Sequence, residues 1–359
     1  MDPQDLDSAF WDEIIDWLGG EAALAASAFE HKALVRLRAV ASAGDLLRLN
    51  FMYGPGGHSL RTTSALAGAG GIADLSDVAL LKRIAGSAAW LKALCEGQLA
   101  AAAPATSAGG ELRIVDSTTI AAPGKAGRYR LHLSYDPYRQ RIHDLQLTTM
   151  RQGERLDRLA LKPGELVLAD RGYPKPEGLA SLIAKGAEVL VRLTWKSLHL
   201  IDETGERLDW AALFAAAAEH GSIDQPVWVA RPRGRFQPLK LRLVILPKPA
   251  QAAESSRRKA RHANRKDQHG SCDPRTLLAA DHLILLTSLA PSDVPARALK
   301  DLYAVRWQIE LAFKRMKSIL NLANLPAKNP KLATAWLYAH LLFALIIDAI
   351  APPPGDFSP

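Results

Sequence analysis

The pattern of hydrophobic and polar positions changes along the chain, and each change predicts a different kind of structure. Residues 1–108 carry apolar side chains at helical spacing with almost no β-branched alternation, which predicts an all-helical N-terminal domain. From residue 109 onward, short alternating segments appear instead. They predict strands at 112–120, 128–136, 141–149 and 164–173, with a short helix at 153–161.

The connections between these segments predict how the strands pair. Only a few residues separate the first three strands, so we expect antiparallel neighbours. A helix before the fourth strand lets it join parallel to the first, which is how a ribonuclease H-like sheet begins. Further β-rich segments follow up to about residue 290. We therefore predict an α/β fold with a ribonuclease H-like core at 109–190 and 296–350, interrupted by a β-rich insertion at 191–295.

Within the N-terminal part, residues 58–94 predict two helices around a glycine-containing turn. The second helix should begin at Ser76, a residue type suited to helix N-termini. A helix-turn-helix motif would fit this arrangement and would offer three cations to DNA. These are Arg61, Lys82 and Arg83. The spacing supports a plain helical hairpin equally well.

An apolar stretch at 333–350 is the one segment that resembles a membrane span. It is short for that purpose and contains His340 and Asp348, so a buried or dimer-interface helix is the better interpretation. The acidic N-terminus lacks the basic segment and apolar core of a signal peptide. We expect a cytoplasmic, nucleoid-associated protein without membrane contact.

Composition adds a preference for an acidic partner. The formal net charge is +8 and the isoelectric point is near 9.5, which favours nucleic acid. The two cysteines, Cys95 and Cys272, are far apart and outside any CxxC motif. We expect free thiols rather than a disulfide or a structural zinc site.

The segment 303–317 places four functional side chains at steps of three, four and seven residues. These are Tyr303, Arg306, Glu310 and Lys317. On one α-helix they would form a strip about 60° wide. Beside the strip lies an apolar face, made of Leu302, Ile309, Phe313, Met316 and Leu320. The strip is either an ordinary surface with charge pairs or a metal-binding carboxylate flanked by phosphate-binding groups.

Two aspartates end predicted strands and favour the second interpretation. Asp116 follows the apolar residues of one strand and Asp170 those of another. If both strands are central and the helix packs across them, these carboxylates converge with Glu310. Such a cluster requires cations, and hard oxygen ligands select Mg²⁺, with Mn²⁺ as a substitute. Two such ions can activate water and stabilise the leaving oxygen of a phosphodiester.

The spacing Tyr303-x2-Arg306-x3-Glu310-x6-Lys317 resembles the YREK signature of the IS-four family of bacterial DDE transposases, which includes the Tn-five transposase. The sequences "VDST" around Asp116 and "ADRGY" around Asp170 resemble the first two catalytic segments of the same family. The order of the segments and the size of the insertion before Glu310 also agree. The resemblance extends over about residues 35–345.

This resemblance implies cut-and-paste transposition through nicking, a hairpin intermediate and strand transfer into target DNA. Asp116, Asp170 and Glu310 would bind the metal ions, and the other three signature residues would contact DNA phosphates. The partners would be terminal inverted repeats, target DNA and a second copy of the chain in a synaptic homodimer. A tryptophan of the insertion would stack near a flipped base, with Trp195 and Trp228 as the candidates.

A strongly basic segment at 254–274 carries six cations in ten residues. These are Arg257, Arg258, Lys259, Arg261, Arg265 and Lys266. We interpret the segment as a loop that is either solvated or, as the resemblance favours, ordered along DNA phosphates by Arg257, Arg258, Arg261 and Arg265. For His132, His143 and Glu154 we expect structural roles.

Two other functions stay open from the sequence. A metal-dependent nuclease on the same core would cut DNA without end-specific strand transfer. The family resemblance also implies a C-terminal segment beyond the apolar helix, whereas this chain ends at Pro359. A shortened copy that binds element ends and inhibits the full-length protein is therefore the second alternative.

Overall fold

The computed structural model describes residues 3–101, 111–121, 128–230, 238–266, 273–319, 325–326 and 328–350. The N-terminal part is helical. Its helices are α1 (Pro3–Trp17), α2 (Gly20–Glu30), α3 (Ala43–Tyr53), α4 (Leu60–Ala69), α5 (Asp77–Gly86) and α6 (Ala88–Ala101). Ser76 accepts a hydrogen bond from the Ala79 amide, as expected for the residue that begins the second helix of the predicted pair.

The central part alternates strands and helices. Its first elements are β1 (Leu112–Ala121), β2 (Arg128–Asp136), β3 (Arg141–Thr149), β4 (Leu166–Ala169), α7 (Pro176–Ala184) and β5 (Glu188–Arg192). They are followed by β6 (Leu200–Ile201), α8 (Trp210–His220), β7 (Ile223–Val229), β8 (Leu239–Pro247), α9 (Ala250–Lys266), α10 (Pro274–Ala280) and β9 (His282–Thr287). The chain continues with α11 (Ala296–Ala304), α12 (Gln308–Ile319) and α13 (Pro330–Ile350).

Within the described residues, the strands form one nine-stranded sheet in the order β3-β2-β1-β4-β5-β9-β8-β7-β6. β1 pairs antiparallel with β2 and parallel with β4, and β4 pairs parallel with β5. This half agrees with the ribonuclease H-like sheet that the sequence predicts. The insertion extends the same sheet through the antiparallel pair β5 and β9. It also contains the helices α8, α9 and α10, so it is less β-rich than predicted.

Two hydrophobic clusters cover the two faces of the sheet. One contains buried residues of the N-terminal helices, of α11 and α12 and of α13, together with one set of strand residues. The other packs α7 and α8 against the opposite set. Because the N-terminal helices share their core with the sheet and α13, their existence as a separate DNA-binding domain stays a prediction.

Helix α13 is apolar enough and long enough to cross a membrane over Pro330–Ala349, but 72% of this segment is buried inside the molecule. It packs against α3, α5 and α6. Cys95 on α6 is buried there as a free thiol, as expected, and its Sγ lies 3.7 Å from the Tyr338 carbonyl oxygen. Cys272 lies outside the described residues.

Three predictions of local structure were wrong. The predicted helix at 153–161 is only a 3₁₀ turn at Leu156–Arg158, and the predicted strand at 164–173 is reduced to the four residues of β4. The basic segment from 254 is not a loop, because its residues up to Lys266 belong to α9. Alanine, arginine and lysine are among the strongest helix-forming residues, so this segment forms a helix although it is highly charged.

The strip from Tyr303 to Lys317 does not lie on one uninterrupted α-helix. A 3₁₀ turn at Val305–Trp307 separates α11 from α12. Tyr303 and Ile309 are both buried, although six α-helical steps would place them about 120° apart. The tighter 3₁₀ turn advances about 120° per residue and reduces this difference. The turn therefore lets both helices bury their apolar faces.

Candidate active site

Asp116 and Asp170 lie at the same edge of the sheet. Val115 of β1 is in register with Ala169 of β4. Asp116 directly follows Val115, and Asp170 directly follows Ala169. The Asp116 Oδ1 accepts a hydrogen bond of 2.7 Å from the Ser117 amide. The structure thus brings together two of the three carboxylates that the sequence selected.

The environment of Asp116 disfavours its negative charge. The pKa of Asp116 is raised to about 6, mainly by burial and also by the charges of Asp170 and Glu154. The Ser117 amide and Arg306 act in the opposite direction without cancelling these effects. Carboxylates that are close enough to repel each other are stabilised by a bound cation.

Arg306 links Asp116 to the third carboxylate. Its Nη1 lies 3.4 Å from Asp116 Oδ2, and its Nη2 donates a hydrogen bond of 2.5 Å to Glu310 Oε1. Glu310 is at the start of α12, and its side chain is 60% exposed. Although burial opposes the charge on Arg306, the pKa of Arg306 is raised because Glu310 and Asp116 stabilise its charge. The sheet edge and the helix are therefore joined by this arginine.

Tyr303 is buried beside Arg306, whose guanidinium carbon is 5.9 Å from the centre of the Tyr303 ring. Burial raises the pKa of Tyr303 to about 12, so its hydroxyl stays protonated and can donate a hydrogen bond. Arg192 at the end of β5 influences the same tyrosine and was missed by the sequence analysis. Lys317 lies on α12, but its side chain lies outside the described residues.

Glu154 also lies in this site. Its Oε1 accepts hydrogen bonds of 2.8 Å from Ser117 Oγ and from Arg130 Nη1, and its charge acts on Asp116. The sequence analysis expected a structural role because no spacing rule connects Glu154 with Asp116 or Asp170. Only the folded structure, in which Ser117 next to Asp116 donates a hydrogen bond to Glu154, shows that these residues are neighbours.

The basic residues of α9 fall into two groups. Arg257 is half-buried, and its Nη1 forms a 2.6 Å ion pair with Asp281. The side chains of Arg258, Arg261 and Arg265 are exposed. Contact with DNA phosphates stays a prediction for all four, but only the last three present their charges to solvent.

The two candidate tryptophans are both partly buried. Trp195 donates a 3.2 Å hydrogen bond to Thr276 Oγ1, and Arg275 lies 4.4 Å from its ring centre. Trp228 has Lys240 at 5.4 Å from its ring centre. These contacts are compatible with structural roles and do not distinguish the two as base-stacking residues.

A second group of possible metal ligands lies at the start of β1. Atoms of Glu111, His143 and Glu165 are all within 4.8 Å of one another. Arg113 lies among them, and its Nη2 is 2.6 Å from Glu165 Oε1 and 2.9 Å from His143 Nε2. Arg139 forms a 3.2 Å ion pair with Glu111. This group could hold a metal by composition, but Arg113 already pairs with Glu165, and Arg139, shared with Asp136, pairs with Glu111.

Comparisons with known proteins identify the family of the chain. The family profile described as the transposase DDE domain matches residues 107–347. The chain is 39% identical over 355 residues to the putative transposase InsL for insertion sequence element IS186A of Escherichia coli (strain K12), covering 97% of this chain and 96% of that protein. It is 39% identical over 356 residues to the transposase for insertion sequence element IS421 of Escherichia coli, again covering 97% and 96%. The chain belongs to the IS-four family of DDE transposases and is the transposase of an insertion sequence.

Proposed function

We propose that this transposase moves its element by cut-and-paste transposition, with Asp116, Asp170 and Glu310 as the metal-binding catalytic residues. The observation that carries this proposal is the convergence of Asp116 and Asp170 at one sheet edge, with Arg306 connecting Asp116 to Glu310. A carboxylate group of this kind offers the hard oxygen ligands that Mg²⁺ and Mn²⁺ prefer. When bound, two such ions would activate water and stabilise the leaving oxygen of the phosphodiester.

In this mechanism Arg306 exchanges its partners when DNA binds. Without DNA its guanidinium neutralises Asp116 and Glu310. With metal on the carboxylates, the guanidinium is free to bind a phosphate, for which its planar donor group is well suited. Tyr303 stays protonated beside it and would donate a hydrogen bond to the same strand. Lys317 would complete the group and support the hairpin steps.

The path of the DNA is proposed from the exposed charges. Arg258, Arg261 and Arg265 on α9 would contact phosphates, while Arg257 would hold α9 through Asp281. Arg61 and Lys82 on α4 and α5 are exposed and would contact the terminal inverted repeats. A homodimer would bring two element ends together and then join them to target DNA.

The test uses purified protein and a duplex that ends in the terminal repeats flanking its own gene. We expect Mg²⁺-dependent nicking and hairpin formation at the element end by the unchanged protein and none by Asp170→Ala. Cleavage without end specificity would instead indicate a nuclease. Specific binding of the repeats without cleavage would indicate an inhibitory copy.

A further inference from the structure

Glu154 contacts the neighbour of Asp116 and borders a cavity. It follows β3 and precedes β4 in the chain, yet its carboxylate contacts Ser117, the neighbour of Asp116. A cavity of about 490 Å³ opens beside it, with Arg130 and Gly172 among the lining residues. Ions and water can therefore reach Glu154 from outside.

Gly172 shows how close Glu154 is to Asp170. A Cβ added to Gly172 would lie 1.9 Å from Glu154 Oε2 and 3.2 Å from Asp170 Oδ1. The two carboxylate oxygens are therefore no farther apart than the sum of these distances. Two oxygens on one Mg²⁺, at about 2.1 Å each, are separated by up to about 4.2 Å. A small adjustment of the Glu154 side chain allows both oxygens to bind one ion.

Tyr173 is a second sign of a ligand at this place. Tyr173 is 1% exposed, and among the described residues its hydroxyl forms no hydrogen bond of normal geometry, although the Ser117 side chain lies near enough to act on it. The charges of Asp116 and Glu154 both act on this hydroxyl. A buried hydroxyl without a well-formed hydrogen bond is unfavourable, and a ligand or a ligand-bound water at the carboxylates would supply the missing partner.

Arg130 fixes the orientation of Glu154 without removing it from the site. Arg130 and Ser117 both bind Oε1, which leaves Oε2 directed toward Gly172 and Asp170. One carboxylate oxygen is thus held by protein donors and the other faces the neighbouring acid. This is the arrangement expected of a positioned metal ligand.

We propose that Glu154 is a fourth carboxylate of the metal site, which binds the ion held by Asp170. This inference rests on the proposed function, because it assumes that Asp170 binds metal. It assigns to Ser117, Arg130 and Gly172 the task of positioning Glu154.

The first test measures Mn²⁺ binding directly, by electron paramagnetic resonance titration of the full chain without DNA. Glu154→Gln keeps the size of the side chain and should weaken Mn²⁺ binding by about tenfold or more. The matched control is Glu177→Gln, an exposed glutamate lining the same cavity, which should bind Mn²⁺ as the unchanged protein does. Asp170→Ala should lose binding at its ion.

The outcomes separate the two proposals. If Asp170→Ala loses Mn²⁺ while Glu154→Gln binds it normally, Glu154 is only the partner of Arg130 and the inference is wrong. If Asp170→Ala also binds normally, the proposed metal function fails and the inference fails with it.

A second test displaces Glu154 without changing it. The Cβ of Gly172→Ala would force the Glu154 carboxylate away, and Mn²⁺ binding should weaken as in Glu154→Gln. In a Glu154→Ala background the same change should have little further effect, since the displaced atoms are absent. An equal effect in both backgrounds would show that Gly172→Ala acts through Asp170, which would contradict the inference.

Discussion

The start and the middle of strand β1 carry two charged clusters of opposite character. At its start, Arg113 is 1% exposed and bonded to Glu165 and His143, while Arg139 pairs with Glu111. Five residues after Glu111, Asp116 lies among several carboxylates and meets one nearby arginine, Arg306. The same strand thus supports an arginine-paired cluster at its start and an acid-rich cluster at its middle.

This difference distinguishes a cluster that stabilises the fold from a cluster that is suited to a functional role. In a balanced buried cluster each charge is compensated within the protein, so removal of one partner leaves another charge buried and unpaired. In an acid-rich cluster the compensation is incomplete, as the raised pKa of Asp116 shows. A cation from outside would complete such a site. A group of carboxylates that repel one another therefore indicates the active site better than the possible ligands around His143 do.

The largest expected effect is on DNA cleavage. Asp170→Asn should reduce end-specific cleavage by about 10³-fold or more, because a metal ligand is lost. It should leave the stability of the metal-free protein unchanged or raised, because it removes a charge that repels Asp116. Single-turnover cleavage and urea unfolding measure the two effects. A destabilised Asp170→Asn protein would contradict the idea of an acid-rich site.

The next effect is on stability at the start of β1. Glu165→Gln should lower the free energy of unfolding by about 3 kcal/mol, because Arg113 would remain buried without its charged partner. Urea unfolding in the absence of metal checks this. The exposed Glu177→Gln serves as the control and should change the free energy by less than about 0.5 kcal/mol. An unchanged Glu165→Gln protein would show that the arginine-paired cluster does not stabilise the fold.

The two clusters should also respond oppositely to pH. Burial raises the pKa of Asp116 to about 6. In the metal-free protein, the contribution of this carboxyl group to folding stability is therefore present below pH 3.8 and is lost as pH rises to about 6. Burial lowers the pKa of His143, so its contribution is present above pH 6.5 and lost on acidification. Asp116→Asn should stabilise the metal-free protein at pH 7 and not at pH 3.5. Equal effects at both pH values in urea unfolding would contradict this sign.

The smallest effect concerns DNA affinity. Replacing Arg258, Arg261 and Arg265 by alanine should weaken DNA binding and make its salt dependence shallower by up to about 3 in log–log slope. Arg257→Ala should act mainly on stability, since it removes the ion pair with Asp281. Fluorescence anisotropy at several salt concentrations distinguishes them. An equal loss of affinity in both proteins would mean that Arg257 contacts DNA as well.

The short segments at 128–136 and 141–149 predicted β2 and β3 with the observed bounds, although burial along them does not alternate strictly, since residues 131–136 are all buried. The acid-rich site was partly predictable, since Asp116 and Asp170 each follow an apolar strand segment. Glu154 was missed because its neighbours Ser117 and Gly172 are distant in sequence and meet only through strand pairing. Helix α9 was predicted to be a loop because its many charged residues suggested an exposed loop, although its composition favours a helix.

The central claim is that the acid-rich cluster at Asp116 and Asp170 carries DNA cleavage and that the cluster at Arg113 and Glu165 supports the fold. The most direct measurement compares end-specific cleavage with Mg²⁺ by Asp170→Asn and Glu165→Gln at a temperature where circular dichroism shows both proteins folded. The account predicts that Glu165→Gln cleaves and Asp170→Asn does not. Cleavage by Asp170→Asn at the rate of the unchanged protein would contradict it.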